Sequence, residues 1–416
     1  MNPEDHAALI HWTASGTQHA ARWRSARGLP PPKRVLAADD TMKADTAWHH
    51  ACEGTALLWH GDYQNARQLL SAMGRRADSA QAHRAGKRKQ APPPAGADAF
   101  NRYRMAQAQR ARTLGMLLVP FNADFSLALT RAPDVREACS EAWGPPSAAD
   151  VAQGTGVAKV AAANADGEDG AASVASLREL LGIVGAHEWR RKGIEVPAIG
   201  ARIHPHYGVF SPVRAEYIDL VAKAPLPEAL ATHGVAFDIG TGTGVLAAVL
   251  AKRGIARIVA TDQDAHALAC ARENIARLVP GEQVAVVDAN LYPMLPVHGK
   301  ASLIVCNPPW IPARPGSPLE RAIYDQEGGM LRGFLSGLAA HLAPGGEGWL
   351  ILSDIAEHLG LRTRAELLAL IDAARLTVIS RMDTRPTHPR AADASDPLHA
   401  ARRAEITSLW RLAARA

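Results

Sequence analysis

The chain has 416 residues, 47% of them hydrophobic, and its 46 Lys and Arg against 41 Asp and Glu leave a formal net charge of +5. That length accommodates two to three domains of about 150 residues each. No run approaches the ~18 apolar residues of a spanning helix, and the N-terminus MNPEDHAALIHW lacks the basic start and apolar block of a secretion signal, so a cytoplasmic protein is expected.

In chain order, the first 143 residues read as helical, in two pieces. Leu57, Leu58, Ala66, Leu69, Leu70 and Met73 recur at spacings near three and four before Gly74, the period of an amphipathic helix. Residues 67–112 carry eleven basic side chains against two acidic ones, a footprint for an anionic partner such as nucleic acid or, equally, a solvated helix face with a charged linker. The stretch GKRKQAPPPAGAD (86–98) and the Gly, Ala and Asp mixture at 144–173 hold almost no large apolar side chains, so both read as linkers. The expected division is a mainly helical N-terminal region at 1–143, a linker at 144–176 and a second domain at 177–416.

From about residue 177 short β-branched runs alternate with amphipathic segments, the signature of a parallel sheet with helices on both faces and right-handed crossovers. VAFDIG (235–240), RIVATD (257–262), QVAVV (283–287), SLIVC (302–306) and GWLIL (348–352) are the expected strands. Leu268, Ala271, Ile275 and Leu278 give one apolar helix face between the second and third. LTVIS (376–380) and EITSLWRL (405–412) have no helical pattern between them and are expected to pair antiparallel at the sheet edge. Cys52, Cys139, Cys270 and Cys306 lie far apart without a CxxC pair. They support neither a disulfide framework nor a zinc site, and are expected to be buried.

Chemistry concentrates in two loops. DIGTGTG (238–244) sits at a strand-to-helix turn, where Gly240, Gly242 and Gly244 let the chain turn sharply and a ligand approach the backbone. The spacing fits neither the dinucleotide fingerprint, whose last position here is Val245, nor a phosphate-cradling loop. What remains suits a nucleoside without phosphates. Asp262 ends the next strand, where a carboxylate accepts from ribose hydroxyls. Gln263 would then lie beside the adenine edge, Asp264 would cap the following helix, and Asp238 would receive an amino group directly or through water. NPPW (307–310) follows the strand SLIVC. The consecutive prolines Pro308 and Pro309 fix the backbone, leaving the Pro308 carbonyl and the Asn307 side-chain oxygen as acceptors for a planar NH2 group, with Trp310 stacked on its plane. The segment RIHPHYGVFSP (202–212) is placed as a lid over the ligand or as packing at the sheet edge.

DIGTGTG, TDQD and NPPW, in that order on successive strands, resemble the class I S-adenosylmethionine-dependent methyltransferases that act on planar nitrogens. From about residue 200 the chain is similar to the release-factor and ribosomal-protein glutamine methyltransferases and the small-domain methyltransferase group, through IVATDQDAHALACARENIARL and NPPWIP. The resemblance implies a Rossmann-like seven-stranded sheet and S-adenosyl-L-methionine as cofactor, bound by Asp238, Gly240, Gly242, Gly244, Asp262, Gln263 and Asn290. Asn307, Pro308, Pro309 and Trp310 would form the catalytic loop. Asn290, in ANLYP, stands where the family usually has the acid of an Asp-Leu-Phe element, and Trp310 where glutamine methyltransferases commonly have tyrosine. The implied substrate is a glutamine amide in a protein of the translation machinery, or an exocyclic amine of adenine or guanine in RNA or DNA.

Overall fold

A computed structural model describes residues 8–14, 16–87, 96–146, 173–213, 216–232, 234–316, 319–386, 393–394 and 396–415. The chain divides into two compact units, 1–93 with 101–188, and 94–100 with 189–416.

The first unit is built on a sheet as well as helices. Strands β1 (Leu9–Ala14), β2 (Thr17–Trp23), β3 (Arg34–Ala38), β4 (Thr55–Trp59), β5 (Leu117–Phe121) and β6 (Ser173–Ser176) lie in the order β1-β2-β6-β5-β4-β3. Helices are also present, as α1 (Ala44–Cys52), α2 (Tyr63–Lys87), α3 (Gly96–Leu114) and α4 (Arg136–Trp143). Ala66, Leu69, Leu70 and Met73 lie on α2, but Leu57 and Leu58, expected on the same helix, belong to β4, and α2 continues through Gly74 to Lys87. Helical periodicity alone therefore under-described this region. β4 and β5 are buried at every position, and a strand covered on both faces reads as an unbroken apolar run that periodicity cannot distinguish from helix. Of the expected linker at 144–176, residues 147–172 lie outside the described residues. Residues 173–176 are not linker: they form β6, parallel to β2 and antiparallel to β5. The following helix α5 (Leu177–Lys192) starts in this unit.

The second unit opens with a hairpin of β7 (Ile194–Val196) and β8 (Ala201–Ile203), then helix α6 (Glu216–Lys223). Its sheet holds β9 (Val235–Ile239), β10 (Arg257–Asp262), β11 (Val284–Asp288), β12 (Ala301–Cys306), β13 (Leu342–Ser353), β14 (Leu376–Thr384) and β15 (Thr407–Ala414), in the order β11-β10-β9-β12-β13-β15-β14. The first five strands in this order run parallel; β14 and β15 form the expected antiparallel pair. Between them lie α7 (Val245–Lys252), α8 (Ala265–Leu278), α9 (Gly329–His341) and α10 (Arg364–Ala373).

Side chains that alternate along a strand point to opposite faces, and the two cores divide that way. Ala236, Leu303 and Val305 join one cluster with Tyr217, Ile218 and the residues of α7. Phe237, Ile239, Ile304 and Cys306 join the other with Leu331, Phe334 and Leu335 of α9. Burying each large apolar side chain contributes about 1.5–3 kcal/mol, so these two layers hold β9 and β12 rigidly at the centre. The strand order reverses between β9 and β12, the position at which an open parallel sheet leaves a crevice beyond its carboxyl ends. Cys139, Cys270 and Cys306 are buried as expected, whereas Cys52, at the end of α1, is exposed. Among the described residues no helix is long and apolar enough to cross a membrane.

Candidate active site

The loop after β9 is shaped by its own side chains. Gly240, Gly242 and Gly244 all adopt positive φ, at 69°, 55° and 80°, a region costly for residues with a Cβ. Each has a different spatial reason. A Cβ on Gly240 would strike Met330 Cε, and one on Gly244 would press on Ile275 Cγ1 at 3.2 Å and Ala271 at 3.4 Å, against α8. A Cβ on Gly242 would meet nothing within 4 Å, so the backbone there borders open space.

Asp238, buried at the end of β9, accepts from Thr241 Oγ1 at 2.6 Å and from the Ala247 amide at 3.1 Å. Its carboxylate thus ties the loop to the first turn of α7. Burial pushes this carboxyl up to about 6, against the opposing pull of those hydrogen bonds. Asp262, half-buried at the end of β10, accepts from the Gly242 amide at 3.0 Å through one oxygen and from the Asp264 amide at 3.0 Å through the other. Burial raises its carboxyl as well, opposed by these backbone donors. The Gln263 amide bears on the same carboxylate, which leaves it a lone pair for a hydroxyl. Asp264 takes the cap expected of it, accepting from His266 and Ala267 at the start of α8.

Gln263 and Asn290 are exposed in the loops after β10 and β11. Asp288, which the sequence reading did not single out, ends β11 directly opposite Asp262 in the strand register.

Asn307, Pro308, Pro309 and Trp310 follow β12, beside β9. Trp310 was expected to offer its face to the substrate; what the structure shows is its indole N–H donating to Asn307 Oδ1 at 2.9 Å. This bond orients the amide and uses one of the two lone pairs of that oxygen. Trp310 is half-buried and packs on both cores of the sheet. Beyond it the chain folds back in a parallel bridge between Ile311 and Tyr324. Asp325, buried, then accepts from the Met330 and Leu331 amides at 3.0 Å each and starts α9. Its link to Gly240 through Met330 joins residues 85 positions apart in sequence, a pairing without any local signal. Thr241, by contrast, lay within the motif already singled out.

The segment 202–212, expected as a lid or as packing at the sheet edge, is held against α8. His206 Nε2 lies 2.6 Å from Glu273 Oε2, which Arg190 also reaches at 2.9 Å, and the His204 amide donates to Asn274 Oδ1 at 2.9 Å. All the residues expected at the site therefore stand at the carboxyl ends of four adjacent strands, β11, β10, β9 and β12. A nucleoside cofactor fits this arrangement: Gly242 leaves room at the backbone, and Asp262 offers a carboxylate acceptor beside it.

Residues 200–365 match the family model described as methyltransferase small domain. This segment is an S-adenosylmethionine-dependent methyltransferase domain. The match lies wholly within the second unit. No curated protein sequence matches the chain. Among solved structures the chain is similar to a methyltransferase from Pyrococcus furiosus, at 19% identity over 57% of this chain and 99% of that one, with a TM-score of 0.36. It is also similar to a ribosomal protein L11 methylase from Lactobacillus delbrueckii subsp. bulgaricus, at 18% identity over 50% and 83% of the two chains, with a TM-score of 0.32. A putative RNA methyltransferase from Pyrococcus horikoshii matches at 16% identity over 50% and 87%, also with a TM-score of 0.32.

Proposed function

We propose that this methyltransferase domain acts on a planar nitrogen, and that its acceptor is the side-chain amide of a glutamine in a protein of the translation machinery. The carrying observation is Asn307 at the end of β12, its Oδ1 held by the Trp310 indole and its backbone fixed by Pro308 and Pro309. The remaining lone pair of Oδ1 and the carbonyl of Pro308 each accept one hydrogen of the substrate NH2. That orients the nitrogen and raises its electron density. Bound S-adenosylmethionine supplies a methyl group on a positively charged sulfur. Asp262 holds its ribose and Asp238 its amino group, so the chain's principal work is alignment, a contribution of several kcal/mol when reacting atoms are held in line. Gln263 and Asn290 border the adenine.

A second acceptor, the exocyclic amine of a base in RNA, is favoured by one feature of the first unit. Arg67 and Arg75 line a depression on α2 with Gln64, Gln68 and Ser71, a polar surface suited to phosphates. Part of the basic stretch is otherwise committed: Arg76 pairs with Asp45 and Arg110 with Asp78, and Arg88 and Lys89 lie outside the described residues.

The test is transfer of labelled methyl from S-adenosylmethionine into extract of a strain lacking this protein, followed by separate protease and RNase digestion. Label released by protease alone is the expected result. Label released by RNase alone replaces the glutamine reading with the base amine. An acceptor that is neither overturns both.

A further inference from the structure

A cluster in the first unit, apart from the methyltransferase residues, has the composition of a metal site. Glu137 and Glu141 are one turn apart on α4, so both side chains leave the same face of that helix. His187, on α5, comes between them. Its Nδ1 lies 3.1 Å from Glu141 Oε2 and its Nε2 lies 3.8 Å from Glu137 Oε2. One donor atom from each residue falls within 4.8 Å of the other two.

The histidine supplies a second, separate observation. It is only 8% exposed, yet its Nδ1 makes no hydrogen bond although Glu141 Oε2 lies 3.1 Å away. A buried imidazole nitrogen without a hydrogen bond is costly, and a cation shared with two carboxylates removes that cost.

We propose that Glu137, Glu141 and His187 bind a divalent transition-metal ion, with zinc the best match to one imidazole and two carboxylates. Ligand bonds of about 2.0–2.2 Å require the three donors to draw together, which the exposed Glu137 side chain accommodates by rotation. Glu137 also gives the ion its route in from solvent. Three protein ligands leave the fourth tetrahedral position to water, so the ion is exchangeable. Its effect is to clip α4 to α5 across the 45 residues separating Glu141 from His187. A clip that closes so long a loop stabilises chiefly by restricting the unfolded chain.

The experiment uses the full chain, untagged, stripped with chelator and dialysed, then titrated calorimetrically with zinc chloride at neutral pH and melted with and without the metal. One ion per chain is expected, with a rise in Tm. Glu137→Gln, a surface change that leaves folding intact, is expected to weaken binding at least tenfold and to abolish the rise. Glu141→Gln should do the same, and His187→Ala should remove the site. The proposal is overturned by the absence of one-to-one binding. It is equally overturned by binding that Glu137→Gln and Glu141→Gln leave unchanged, which would place the metal on other histidines.

Discussion

The two sheets make opposite use of the loops at their carboxyl ends. In the first unit β3, β4 and β5 are parallel neighbours joined through helices, as β9, β10 and β11 are in the second. The loop after β4 is closed by side chains, its own and those of neighbouring loops. Asp40 accepts from the Asp62 amide at 3.0 Å and from Asn65 Nδ2 at 2.9 Å, while Asp62 accepts from Gln64, from Asn65 and from Arg131 Nε at 2.6 Å. A Cβ on Gly61 would lie 2.6 Å from Asp40 Oδ1. At Gly242 the corresponding space is open. A parallel sheet thus offers a place for a ligand, and whether it becomes a site depends on whether nearby side chains fill the space beside the glycine.

The sharpest way to break this comparison is at the asparagine that follows a strand in each unit. Asn307→Ala, after β12, is expected to lower kcat by about 100-fold or more, since a misplaced acceptor forfeits alignment, while cofactor affinity in calorimetry stays nearly unchanged. Asn122, directly after β5, donates to Ser126 Oγ at 2.9 Å within its own loop, and Asn122→Ala is expected to leave kcat unaltered. Equal losses of binding and turnover in Asn307→Ala would show that the asparagine serves the cofactor instead.

The paired glycines come next. Gly242→Ala forces a Cβ into positive φ at about 1–2 kcal/mol and into the space beside Asp262, so cofactor Kd should rise about tenfold or more. Gly61→Ala drives a methyl into Asp40, an overpacking cost of about 1–3 kcal/mol. It should lower the Tm and leave cofactor affinity alone. Reversed outcomes would mean that the open and closed loops have been misassigned.

A smaller effect concerns pH. With its carboxyl pushed up to about 6 by burial, Asp238 is protonated in the free protein below that pH. An ammonium partner favours the carboxylate, so the cofactor complex titrates lower than the free protein. Affinity for S-adenosylhomocysteine is therefore full above pH 6 and falls as pH drops through it, by up to about tenfold per pH unit. Asp238→Asn should bind more weakly at pH 7.5 and lose this slope. A slope that persists in Asp238→Asn assigns the titration to another group.

Much of the second unit was legible because its signals are local. Strands of continuous apolar residues, the glycines of DIGTGTG, Asp264 as a cap and the Pro-Pro turn each follow from residues adjacent in sequence. The first unit was less legible. β6 is four small or polar-flanked residues, SVAS, with no apolar run to mark it, and it exists only because β2 and β5, distant in the chain, supply its hydrogen bonds.

The sequence by itself determined the order of the chemical groups on successive strands, and with it the methyltransferase reading, because strand period, turn glycines and prolines act within a few residues. Only the tertiary structure decided which groups hold one another: the Trp310 indole on Asn307, Asp262 on the Gly242 amide, Met330 against Gly240, and Asp40 filling the space beside Gly61. Such pairings depend on how distant segments pack, since a hydrogen bond needs both atoms within about 3 Å and aligned, a condition set by the folded arrangement of the whole sheet.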